Sequence, residues 1–228
     1  MVKKIADEKI LMLLNVKSIL KQHIYENTLS VFNTLKEVLS ELTATYNYEM
    51  NNPDTRIKLE YSDKGTFDAQ MKIAGDLLVF SMHTNIFQFD RDHAVWKTSY
   101  VSNDHLTAYC GIINIFNFLN DSFKYNRLDD LGYLIARIFI NKDMCYFVEG
   151  KRQLGFLYNN FGREKINREV ITKIVNTAAS YSLEFDLLVP PYDTVKIISV
   201  EQMIQKIENS KIMTAKRLGF RFNADDVS

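Results

Sequence analysis

Apolar residues return every three or four positions between Phe32 and Leu42, at Phe32, Leu35, Val38, Leu39 and Leu42, while Lys36, Glu37 and Glu41 fall mostly on other faces. That spacing predicts an amphipathic helix over about residues 28–45, with Asn27 or Thr28 as its N-cap. A preceding helix over about residues 8–25 carries a wider apolar face, at Ile10, Leu13, Leu14, Leu20 and Ile24. Such a helix either packs on its own domain or pairs with another chain, and packing on its own domain is the commoner outcome.

After Asn51-Asn52-Pro53-Asp54 the period changes from helical to alternating. Ile57, Leu59 and Tyr61 alternate with Lys58 and Glu60. Past the Asp63-Lys64-Gly65 turn, Phe67, Ala69, Met71 and Ile73 alternate with Asp68, Gln70 and Lys72. Both segments read as half-buried strands of one hairpin. Gly75-Asp76 leads into the apolar run Leu77–Phe89, expected as one bent strand or two. A strand is expected at Ala94–Val101 and another at Tyr109–Leu119, where β-branched and aromatic residues outweigh the helical alternative.

Two apolar runs between Gly132 and Tyr158, around the polar tip Asn141-Lys142-Asp143, predict a second hairpin. Asn167 then caps a helix with Val170, Ile171, Ile174, Val175 and Ala178 on one face. Pro190-Pro191 interrupts regular structure. Val195–Val200 is a strand candidate, and Ser199 caps a last helix bearing Met203, Ile204 and Ile207. The expected fold is α+β: a mainly antiparallel sheet of about six to eight strands, flanked by N-terminal helices and one or two C-terminal helices. With no repeat and no Gly/Ser-rich linker, residues 1–228 are expected to form a single domain. Within it, 1–50 is a helical segment, 51–160 the β region, 161–210 helix–strand–helix and 211–228 a basic tail.

Composition narrows the function classes. Lys+Arg and Asp+Glu both number 28, so there is no net cationic field to draw nucleic acid or an anionic membrane. The tail interleaves Lys216, Arg217 and Arg221 with Leu218, Phe220 and Phe222, a pattern that nucleic-acid or protein contacts can use. Neutrality makes nucleic acid the weaker of those partners. Cys110 and Cys145 both lie in apolar runs and are expected as buried, reduced thiols of a cytoplasmic chain. Asp7, Glu8 and Lys9 interrupt any leader-like run after Lys3-Lys4, and no apolar stretch nears the roughly 20 residues of a membrane span.

Chemistry is sparse. Only 8 glycines are present, and no glycine-rich phosphate loop or nucleophile elbow occurs. His83, His93 and His105 fall near Asp90, Asp92 and Asp104 in consecutive connections, but without a recognised ligand spacing; turn formation accounts for the acids and no metal is assigned. The order Asp130, strand, Glu149-x-Lys151 resembles the pattern of the PD-(D/E)xK nuclease superfamily, although position 129 is Asp rather than Pro. The resemblance implies Asp130 and Glu149 as ligands of Mg²⁺ or Mn²⁺ and Lys151 as an aid to water activation at a phosphodiester. The polar tip predicts otherwise. A three-residue tip pairs Glu149 with Ile135, leaves Asp130 about 17 Å further along the strand, and makes Arg137 and Glu149 diagonal neighbours in an ion pair.

The sequence thus points to a non-enzymatic cytoplasmic domain that binds a protein partner or a copy of itself, with no cofactor; the metal-dependent phosphodiesterase is the alternative. Arg137, Glu149, Lys151, Arg152 and Gln153 are the surface candidates for binding.

Overall fold

The structure, a computed structural model, describes residues 7–50, 54, 57–128, 130–158, 161–185, 196–197, 199–201 and 203–204. Seven strands form one antiparallel sheet: β1 (Glu60–Asp63), β2 (Asp68–Ile73), β3 (Asp76–Met82), β4 (Phe87–Gln88), β5 (Tyr109–Leu119), β6 (Tyr133–Asn141) and β7 (Tyr146–Gly150). Neighbours run β1-β2-β3-β5-β6-β7, and the two-residue β4 pairs with the start of β5. The β1–β2, β2–β3 and β6–β7 links are too short for a parallel return, which needs a long crossover, so these neighbours run antiparallel. The expected α+β class and mainly antiparallel sheet are both present.

One continuous helical rod leads into the sheet. It begins as α1 (Glu8–Met12), widens into a π-helical segment at Leu13–Ser18, and continues as α2 (Ile19–Glu49). Leu20, Ile24, Thr28, Val31, Phe32, Leu35, Val38, Leu39 and Thr43 make one buried stripe along α2, and this stripe lies against β5 and β6. The sheet supplies Met71, Leu78, Phe80, Ile113, Ile115, Ile138 and Val148 to the same core. The helix α6 (Arg168–Glu184) starts at Asn167, whose Oδ1 accepts from Val170 N at 2.9 Å. It closes the layer beside α2 with Ile171, Ile174, Val175 and Ala178 buried.

A smaller core covers the opposite face of the sheet near the start of β5. Cys110, Ile112 and Phe139 meet Val95, Val101, Ala108 and Phe161 there, with Phe89, Trp96, Tyr100 and Phe147 packed around them. Both cysteines are buried and free.

Five expectations are corrected. The helix break near Asn27-Thr28 does not exist. Thr28 Oγ1 donates back to Ile24 O at 2.7 Å, as Thr does inside helices, and Asn27 Nδ2 donates to the carbonyl of Lys142 at 3.0 Å. The first strand begins at Glu60 rather than Ile57, because the side chain of Asn47 takes both backbone groups of Leu59, at 2.8 and 2.9 Å. Ala94–Val101 is not a strand. His93 Nδ1 accepts from Val95 N and Thr98 Oγ1 from Val101 N, capping a 3₁₀ turn at Ala94–Lys97 and the helix α3 (Ser99–Asn103). Local capping wins over the β-propensity of Val95, Trp96 and Tyr100.

The fourth correction is the register of the β6–β7 hairpin, where Glu149 faces Arg137 and not Ile135. Met144 takes a left-handed φ of 62°, and Asn141 Oδ1 accepts from both Asp143 N and Cys145 N at 3.0 Å. The loop therefore spans Asn141–Cys145 and is centred one residue later than its polar letters imply, which moves every cross-strand pair by two. The Asn51-Asn52-Pro53 turn, the Pro190-Pro191 interruption and the 211–228 tail lie outside the described residues, as do Val195 and Ile198; the described part of the Val195–Val200 strand candidate is not strand, with a bend at Lys196 and helix from Val200. Around Ser199, the Met203 amide donates to the Ser199 carbonyl at 2.9 Å, the first bond of a helical turn.

Candidate functional site

The β6–β7 hairpin holds most of the residues singled out from the sequence. Arg137 and Glu149 are direct partners, with Arg137 Nε donating to Glu149 Oε2 at 2.7 Å on a half-exposed surface. Together with Leu134, Ile135, Ala136, Gly150 and Lys151 they line an open groove of about 240 Å³. Lys151 is exposed, and its amide donates to Ile135 O at 3.0 Å. Arg152 adopts a left-handed φ of 46°, uncommon for a residue with a Cβ, and turns the chain into the short helix α5 (Gln153–Phe156), which Gln153 opens. Its guanidinium lies 5.6 Å from the Tyr181 ring centroid and 3.9 Å from Glu184.

Asp130 is not part of this group. Its Oδ2 accepts from Ser122 Oγ at 2.6 Å and lies 3.0 Å from Arg127 Nε, closing the loop between the helix α4 (Asn120–Lys124) and β6. The four residue steps from Tyr133 to Arg137 alone account for roughly 14 Å of strand, so Asp130 and Glu149 are held apart. Glu149 is instead engaged with a guanidinium, which competes with a cation for the same oxygens. Among the described residues no three His, Cys, Asp or Glu side chains are grouped so as to hold a metal ion.

The histidines are spent locally as well. His83 Nδ1 accepts from Asn85 N at 3.0 Å and its ring meets Phe87 edge-on at 4.7 Å. His93 caps Val95 and stacks on Phe89 at 4.6 Å, and His105 meets Trp96 at 5.6 Å. Asp104 caps Leu106 N at 3.0 Å and pairs with Lys142 at 3.1 Å.

The electrostatically strongest cluster sits behind the hairpin tip. Tyr100 OH donates to Asp143 Oδ2 at 2.7 Å and accepts from Asn141 Nδ2 at 2.9 Å, while Lys142 Nζ reaches Asp143 and Asp104 at 3.1 Å. Burial and the Asp143 carboxylate push the Tyr100 phenol well above its ordinary range. Burial also opposes the charge on Asp143, but the Tyr100 hydroxyl and the Lys142 ammonium outweigh it and hold the carboxyl below its usual value. Every member has a partner within the cluster, and the phenol is held protonated. The arrangement locks the tip and offers no free base or nucleophile.

The helical rod before α2 presents a different surface. Every residue from Asp7 to Ile19 is exposed. Ile10 is 57% accessible, Met12 69%, Leu14 53% and Ile19 61%, whereas Ile24, one turn beyond, is fully buried. Leu11, Leu13 and Val16 are exposed as well. The rod therefore projects past the sheet carrying seven large apolar side chains. Among the described residues, the ammonium of Lys17 lies over the Tyr109 ring of the body, 5.6 Å from its centroid. Where the rod meets the body, Ser18, Lys21, Gln22 and Tyr25 face Asn85 and Phe87 across an open groove of about 610 Å³. Sequence spacing identified Ile10, Leu13 and Leu14 as apolar, but not that the sheet ends before reaching them. Among the described residues no helix is long and apolar enough to cross a membrane.

Comparison with family models, with curated proteins and with solved structures found no match to this chain.

Proposed function

We propose that this chain is a non-enzymatic, cytoplasmic protein-interaction or self-association domain, and that its docking element is the projecting helix from Asp7 to Ile19. The observation that carries this reading is the exposure of seven large apolar side chains on ten consecutive helical residues. Left in water, that surface forgoes about 25 cal/mol for each Å² it would bury against a partner. As the exposed end of a long helix it frays at little free-energy cost, so a partner would hold its fold and its position together. A π-helical segment within it adds weight, since such segments concentrate at functional sites. The cytoplasmic setting is supported by two buried, unpaired thiols. Equal numbers of basic and acidic residues favour a protein over a nucleic acid as partner.

Replacing Leu13 and Leu14 together by Glu tests the reading, because both are solvent-facing and their loss leaves the sheet core untouched. We expect the wild-type chain to self-associate or to retain a protein partner on an affinity column, and the double variant to do neither while the amides of β5 and β6 keep their protection. A wild-type chain that is monomeric at every concentration and retains nothing contradicts the reading.

A further inference from the structure

We infer that the open edge of β1, beside α2, accepts an extended basic segment of a partner protein, which adds to the sheet as one more strand. This site is separate from helix 8–19 and does not depend on it. Backbone direction, a helical wall and charge argue for it.

The Lys64 amide donates to Asp68 O at 3.0 Å and continues the β1–β2 register of Ser62↔Gln70 and Glu60↔Lys72. In an antiparallel pair only alternate residues exchange ladder bonds, so Lys64, Ser62 and Glu60 bond inward to β2. Leu59, Tyr61 and Asp63 therefore turn their N–H and C=O groups to the outer edge. At Leu59 that edge is already satisfied. Asn47 Oδ1 accepts from the Leu59 amide at 2.9 Å and Asn47 Nδ2 donates to its carbonyl at 2.8 Å, the two bonds a neighbouring strand would make. Among the described residues no such partner reaches the backbone of Tyr61 or Asp63. Open donors and acceptors along a sheet edge are what an added strand uses.

Tyr61 and Asp63 line an open groove of about 410 Å³ with Lys36, Glu37, Ser40 and Glu41 of α2. Opposite residues of a ladder share a face, and the partners of Tyr61 and Asp63 are Met71 and Ala69, which belong to the core beneath α2. In a strand laid along β1, each residue that bonds to Tyr61 or Asp63 thus also points its side chain toward α2. Three carboxylates meet two cations there: Lys36 lies 2.8 Å from Asp63, and Arg168 is shared by Glu37 and Glu41, both largely exposed. The surplus is negative, which favours lysine or arginine at those positions of the incoming strand. A second copy is the poorer occupant, because its own β1 edge brings the same acidic groove.

The test offers the full-length chain blocked decapeptides in which valine alternates with lysine or with glutamate. At low salt the lysine peptide should bind at least about tenfold tighter than the glutamate peptide. At saturation it should slow amide exchange at Tyr61 and Asp63 by at least about tenfold, and more than at Ser62. N-methylation of its lysine amides should abolish binding and N-methylation of its valine amides should not, because only the lysine amides face β1. Equal sensitivity to the two methylations, equal binding of the glutamate peptide, or no binding of the lysine peptide up to about 1 mM overturns the inference. Protection of Tyr61 and Asp63 on concentrating the chain alone assigns the edge to a second copy and overturns it too. The Leu13→Glu/Leu14→Glu variant should bind the lysine peptide as the wild type does; loss there places the peptide on the helix and overturns the site.

Discussion

Arg137 stands directly opposite Glu149 in the β6–β7 ladder, its guanidinium bonded to the carboxylate at the solvent face of the hairpin. Both side chains are about half exposed, so water and salt screen the attraction. We expect Arg137→Ala and Glu149→Ala each to cost less than about 1 kcal/mol, with a coupling of roughly 0.2–1 kcal/mol in a double-mutant cycle read by urea unfolding. Loss of a Mg²⁺- or Mn²⁺-dependent hydrolysis of DNA or RNA in Glu149→Ala would instead support the nuclease alternative.

Asn141 should matter far more than its neighbours at the tip. It is fully buried, accepts from the amides of Asp143 and Cys145, and donates to Tyr100 and to the carbonyl of Thr107. Asn141→Ala leaves those amides without the partner that the fully buried Asn141 side chain supplies. We expect a loss of about 2–4 kcal/mol, against less than about 1 kcal/mol for the partly exposed Lys142→Ala, both measured by denaturant unfolding.

Gly111 and Thr28 set how closely α2 approaches β5. A Cβ at Gly111 would lie 2.1 Å from Thr28 Oγ1 and 2.9 Å from Thr28 Cβ. Gly111→Ala should therefore destabilise the fold by about 1–3 kcal/mol through overpacking. Adding Thr28→Ala removes the nearest atom but not the Cβ, so partial recovery is expected, and full additivity of the two losses would contradict the contact.

Alkaline pH should loosen the fold through its buried phenols. Burial first, then the charge and hydrogen bond of Glu164, push the Tyr146 phenol up to about 12. A phenol ionises near pH 10 in an unfolded chain. Its contribution is thus complete below pH 10 and lost as pH rises through about 12, and Tyr100 behaves alike. Asp143 has the opposite sign: its depressed pKa contributes above about pH 4, the unfolded value, and is lost as pH falls below it. Melting temperature should fall above pH 10, and less steeply in Tyr146→Phe than in the wild type; equal slopes contradict the assignment.

Strand and helix periods made most of the sheet legible in the sequence. Ala69, Met71 and Ile73 are buried and their neighbours are not, as alternation requires. The stripe of α2 and the cap at Asn167 were equally readable. What spacing could not reveal were side chains acting on distant backbone: Asn47 holding Leu59, Asn27 holding the hairpin tip, and Asn141 moving the register by two residues. The same holds for the projecting helix. The apolar residues Ile10 and Ile24 look alike in sequence, and their opposite burial depends on where the sheet stops.

The central claim is that helix 8–19 is an interface, and backbone amide exchange reads it residue by residue. The unpartnered, exposed end of a long helix frays with almost no free-energy cost. At the concentration where the chain associates, we expect protection factors across residues 10–19 of the wild type to exceed those of the Leu13→Glu/Leu14→Glu variant by at least about tenfold, with the amides of β5 and β6 unchanged. Equally fast exchange of residues 10–19 in both chains would contradict it.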